Sequence, residues 1–145
     1  MKKLAFAAAL LIAATGAHAG ETPAPPDARV FFVNLKDGDT VAAPVTVAFG
    51  IEGMVIAPAG AETPNSGHHH LLVDRAPLGE GPDGAEERNA NLPADANHIH
   101  FGKGQTETVL DLSPGPHTLQ LVLGDANHIP HNPPVVSNRI TITVK

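Results

Sequence analysis

Nine histidines and no cysteine stand in this chain of 145 residues, so thiolate ligation is excluded and imidazole is the metal-binding group in which the chain is unusually rich. Five of them, His68, His69, His70, His98 and His100, fall close together, and His128 and His131 follow. Side chains alternate along a strand, so His68 and His70 project from one face with His69 opposite, and His98 and His100 repeat the arrangement. Two such strands, paired or facing, can bring several imidazoles towards one point, and imidazole suits zinc, copper, nickel and ferrous iron. A single His triplet is equally at home on a solvated edge strand; the further pairs shift the balance towards a metal site. The preferred ligands are His68, His70, His98 and His100, with His128 and His131 as second choices to complete the shell. Copper heads the divalent affinity order for nitrogen ligands and is the first choice of ion, with zinc the second. Ligating imidazole must be neutral, so binding is expected to weaken as pH falls through about 6.5.

The absence of cysteine excludes disulfides, iron–sulfur clusters, thiolate copper sites and a catalytic thiol. Met54 is the only methionine beyond Met1, which excludes a Met-rich Cu(I) site. A short echo joins Asp95-Ala-Asn-His98-Ile-His100 to Asp125-Ala-Asn-His128-Ile-Pro-His131, as though two turns each deliver imidazoles from a loop end. Asp95 and Asp125 are therefore candidates to accept from a ligand's second ring N–H and fix its tautomer; Glu107 and His69 are further candidates for that supporting role. His117 reads differently. It shares a face with Leu119 and Leu121, and follows Ser113-Pro-Gly-Pro116, which suits a structural corner where a side chain bonds back to the preceding loop. No catalytic residue is assigned, because no nucleophile elbow, Walker loop or H-E-x-x-H helix is present. Gly102-Lys103-Gly104 reads as a tight turn.

The elements that must position these residues are strands. Runs at 29–35, 45–51, 68–74, 98–101, 106–112, 117–123 and 139–144 show period-2 alternation, separated by Gly- and Pro-rich turns. That pattern predicts an all-β, immunoglobulin-like antiparallel sandwich of about seven strands, with a small β-barrel as the alternative. Residues 81–90 are the one candidate for a helical turn. Two long, weakly periodic segments, 52–67 and 75–97, flank the histidines, and loops of that length usually carry function.

Met1-Lys2-Lys3, the apolar run Leu4 to Ala14 and Ala17-His18-Ala19 have the layout of a secretory signal peptide cut after Ala19, too short to span a membrane. The expected organisation is a leader at 1–19, a flexible Pro-rich segment at 20–28 and one His-rich domain at 29–145, located in the periplasm or secreted. Without Lys2 and Lys3 the remainder has seven cations against fifteen carboxylates, a charge of −8 with histidine neutral. This argues against nucleic acid and membrane insertion.

Gly67-His-His-His-Leu-Leu-Val-Asp74, His98-Ile-His-Phe-Gly-Lys-Gly-Gln-Thr-Glu107 and Gly115-Pro-His-Thr-Leu-Gln-Leu121 followed by His128-Ile-Pro-His131 resemble a bacterial periplasmic family of His-rich domains of unknown function, the DUF4399-like group. The resemblance spans about residues 29–145. It implies an exported His-rich β-domain and supplies neither a reaction nor a metal. The function expected from the residues is metal sequestration, delivery or sensing, with a periplasmic metal-handling protein as partner, rather than catalysis. The alternatives are a metalloenzyme with an open His-ligated redox or hydrolytic centre, and a non-metal adaptor in which the histidines respond to pH.

Overall fold

Alternation along Val45–Glu52 and Ile140–Val144, which buries Val45, Val47 and Phe49 in the first and Ile140, Ile142 and Val144 in the second, is the local cause of the architecture: each of these strands has one face that must leave water. A computed structural model describes residues 22–82 and 84–145; the leader expected at 1–19 lies outside the described residues. The elements, in chain order, are β1 (Arg29–Phe32), β2 (Thr40–Val41), β3 (Val45–Glu52), β4 (Val55–Ile56), β5 (Ser66–Val73), α1 (Gly84–Glu87), β6 (His98–His100), β7 (Glu107–Leu110), β8 (Gly115–Gly124) and β9 (Ile140–Val144). All seven expected runs contain a strand; β2 and β4 are two-residue additions, and the helical turn falls within 81–90.

The strands form two sheets. One has the order β1-β3-β7; the other runs β2-β9-β8-β5-β4, with β6 also paired to β5. Neither sheet closes on itself, which sets aside the barrel and leaves a sandwich-like fold. The main core lies between the sheets, where Val45, Val47 and Phe49 of β3 meet Leu71 and Val73 of β5, Leu119, Leu121 and Leu123 of β8 and Ile140, Ile142 and Val144 of β9. No helix among the described residues is long and apolar enough to cross a membrane.

Sequence alternation implies one dry face per sheet, and here the structure departs from it. All eight residues of β5 are buried, as is β8 from Leu119 to Gly124. Two coverings are the cause: His100 of β6 and His128 lie against His68 and His70, and the long 75–97 segment folds over the outer face of the larger sheet beside them. Its Leu78 and Leu92 pack on Leu72 and Val122 to make a second, smaller apolar cluster. Hydrogen bonds pin the cover in place: Leu78 N–H donates to Gln120 Oε1 at 3.0 Å and Leu92 N–H to the His128 carbonyl at 2.8 Å. Thr22 and Ala24 of the Pro-rich segment bond with the backbone of Asn132, and Thr22 Oγ1 donates to Asp125 Oδ2 at 2.6 Å.

Candidate metal centre

The buried outer face of β5 carries the histidines. His70 of β5 sits directly across from His100 of β6, and Leu72 from His98, in an antiparallel register. On the other side, His68 faces Gly124 and His70 faces Val122 of β8. This register decides which rings meet. His70 and His100 are opposed, while His68 and His98 extend from that pair in opposite directions, about 13 Å apart along the strands at roughly 3.3 Å per residue. Four side chains placed in this way cannot all point to one focus.

Three of them do converge. One ring nitrogen each from His68, His70 and His100 lies within 4.8 Å of the others. The Nε2 atoms of His68 and His70 are 3.1 Å apart, close to the roughly 3.3 Å between neighbouring nitrogens on a tetrahedral ion with metal–nitrogen bonds of about 2.0–2.1 Å. His128 adds a fourth ring, its centroid 4.5 Å from that of His100 and 5.0 Å from that of His68. His100 Nε2 and His68 Nδ1 are buried without a hydrogen-bond partner. An orphaned ring nitrogen costs on the order of 1–3 kcal/mol, and a cation at the focus would take up the one on His100. A buried cluster of His68, His70 and His100 can therefore hold a metal ion.

Electrostatics point the same way. Burial first, then the neighbouring imidazoles His100 and His128, lower the His68 pKa to about 4. Burial, followed by the charges of His68 and His98, brings His70 down to about 2. His100 is lowered by burial and by His128. Rings that resist protonation keep their lone pairs available to a cation.

The echo in the sequence has one structure in both copies. Asp95 Oδ1 accepts the N–H of Asn97 and Asp125 Oδ1 that of Asn127, each at 2.8 Å, and in each copy the histidine N–H returns to the aspartate carbonyl. Aspartate closes these turns because its carboxylate reaches the amide two residues on. The two aspartates thus shape the loops that deliver His98 and His128. Asp125 Oδ1 also accepts Ile129 N–H at 3.0 Å, which holds His128 at φ 66°. That left-handed conformation costs a non-glycine residue about 1–2 kcal/mol.

The remaining histidines are dispersed. His98 stands behind His70, its Nε2 at 3.2 Å from His70 Nδ1. His131 is buried away from the focus, facing the carbonyls of Leu123 and Ser66. His69 points into the main core against Phe49, ring centroids 5.2 Å apart, with both nitrogens unpartnered. His117 bridges Asp74 Oδ2 at 2.7 Å and the Ser113 carbonyl at 2.8 Å. Two acceptors require both ring nitrogens to donate, so the bond to Asp74 and then the Ser113 carbonyl raise its pKa. Glu107 is exposed on β7, in the smaller sheet.

Two glycines make room for the rings of His70 and His100: Gly102, which the sequence offered only as part of a tight turn, and Gly124, to which it assigned no role. A Cβ on Gly124 would lie 2.8 Å from His70 Nε2, and one on Gly102 would lie 2.3 Å from His100 Cε1. Neither glycine has a positive φ, so what these positions require is space, not conformational freedom. Only the register reveals that need; nothing in the sequence around either residue signals it.

The fold and site together define an all-β protein with a buried imidazole cluster able to hold a metal. A family model described as Domain of unknown function (DUF4399) matches residues 47–145, more than half of the chain, and the chain belongs to that family. No curated protein and no solved structure matches it.

Proposed function

We propose that this is an exported metal-binding protein that holds a divalent transition ion on His68, His70 and His100, with His128 as the fourth ligand. The observation that carries the reading is the convergence of three ring nitrogens within 4.8 Å on a covered sheet face. Imidazole-only ligation fits copper first and zinc second. With His128 as a fourth ligand, a tetrahedral ion such as zinc would have no coordination position open for substrate, which favours sequestration, delivery or sensing over turnover. In this reading His98 backs His70 and the turns of Asp95 and Asp125 present His98 and His128, while His69, turned into the core against Phe49, stands apart from the site with His117, His131 and Glu107. The leader-like start of the sequence supports a periplasmic location, where the partner of such a site would be another metal-handling protein.

Replacing His68 and His70 together by alanine is expected to abolish tight uptake of zinc and Cu²⁺ in calorimetry while the β-type circular dichroism persists. Unchanged affinity in a folded double variant would remove these residues from the site and end the proposal.

A further inference from the structure

A hydrogen-bonded chain runs from the protein surface into the cluster. Arg75 Nη1 lies 3.0 Å from His98 Nδ1, His98 Nε2 lies 3.2 Å from His70 Nδ1, and His70 Nε2 lies 3.1 Å from His68 Nε2. At its outer end Arg75 is ion-paired with Glu87. A guanidinium has donors and no acceptor, whereas a neutral imidazole has one of each. This fixes the direction of the whole chain. Arg75 donates to His98 Nδ1, so the His98 proton is on Nε2 and is donated to His70 Nδ1. The His70 proton is then on Nε2, directed at His68. His68 Nε2 accepts it with a bare lone pair, and the His68 proton is left on Nδ1, the buried atom that has no partner.

We propose that Arg75 is a positioning residue that holds His98, and through it His70, in the tautomer that cannot ligate through Nε2, so that filling the site requires Arg75 to leave His98. The inference rests on the metal reading given above and names how that site is controlled. Ligation by His70 Nε2 puts its proton on Nδ1, which must then donate to His98 Nε2. The His98 Nε2 proton crosses to His70 Nδ1, the His70 Nε2 proton leaves to solvent, and His98 Nδ1 takes a proton from solvent, which there meets an Arg75 N–H. Each imidazole ends with one proton, and the protein gains and loses no net charge. Two donors cannot share one hydrogen bond, so the guanidinium withdraws. A surface cavity of about 300 Å³ lined by Arg75, Glu86, Glu87, Leu92 and Asp95 gives it room, and the carboxylates of Glu87 and Asp95 are at hand there. Loading is thereby tied to the 75–97 cover, which gives the outside of the protein a means of reporting whether metal is bound.

The test is long-range ¹⁵N NMR of the imidazoles in the full protein, without metal and with one equivalent of zinc, together with zinc calorimetry of Arg75→Met. Expected are His70 and His98 both protonated on Nε2 without metal, both protonated on Nδ1 with zinc, and an affinity about tenfold tighter in the variant, the worth of one Arg75–His98 hydrogen bond that loading no longer has to break. A His98 proton on Nδ1 before zinc, or still on Nε2 after zinc binds, overturns this inference alone, as does a folded variant that binds no more tightly. Failure of the wild type to bind zinc at all would overturn both this inference and the metal reading beneath it.

Discussion

Stripped of metal, the protein should lose stability steadily as pH falls from 6.5 towards 4. Burial lowers the pKa of His68, His69 and His98 to about 4 and that of His70, with its imidazole neighbours, to about 2, against 6.5 for an ordinary histidine. Between those limits the unfolded chain takes up protons that the folded protein refuses, so the stabilisation from these rings is whole above 6.5 and is lost on acidification. Each such ring contributes a slope of up to about 1.4 kcal/mol per pH unit, and a domain of this size has only about 5–15 kcal/mol in total. His117 has the opposite sign: its raised pKa adds stability that is already complete below 6.5 and fades as pH rises through the folded value. It cannot offset the loss. Denaturant titrations in chelator across pH 4 to 8 measure this directly, and a midpoint independent of pH below 6.5 would contradict buried, neutral imidazoles. For His68 and His70, proton competition with a bound metal is expected to set in below the 6.5 of free histidine, because burial lowers their pKa to about 4 and about 2.

Gly124→Ala should lower zinc affinity about a hundredfold although it alters no ligand. The added methyl would stand 2.8 Å from His70 Nε2 and 3.1 Å from His70 Cδ2, so it presses directly on one proposed ligand ring. Because φ at Gly124 is not in the left-handed region, the backbone itself accepts alanine, and β8 should stay paired with β5. Gly102→Ala acts in the same way on His100, whose Cε1 and Nε2 would lie 2.3 and 2.6 Å from the new atom. Competition against a zinc chelator, with circular dichroism to confirm the fold, checks both. Wild-type affinity in both variants would show that the rings do not need their observed positions to bind.

Strand positions were legible in the sequence because alternation is local: Val45, Val47 and Phe49 declare their inward face without reference to any other strand. The pairing of His68 with His70 on one face, and of His98 with His100, was legible for the same reason. Register was not. Whether His70 faces His100 or His98 depends on how β6 slides along β5, and a shift of two residues would have kept every side chain on its face while changing which rings meet. The role of Arg75 was hidden too, since it lies 23 residues from His98 and reaches it only because the 75–97 cover folds back over the sheet. That cover, together with His100 and His128, also explains why β5 and β8 are dry on both faces, something alternation along either strand does not announce. The Asp-x-Asn-His echo was visible as a repeat, and its turns follow from the aspartate carboxylates; where each turn aims its histidine does not.

X-ray absorption at the metal edge, on protein loaded with one equivalent of zinc, examines the imidazole cluster most directly. The expected spectrum has at least three imidazole nitrogens at about 2.0–2.1 Å, with the outer-shell scattering of rigid rings. A shell of oxygen ligands without imidazole scattering would contradict metal binding by His68, His70 and His100.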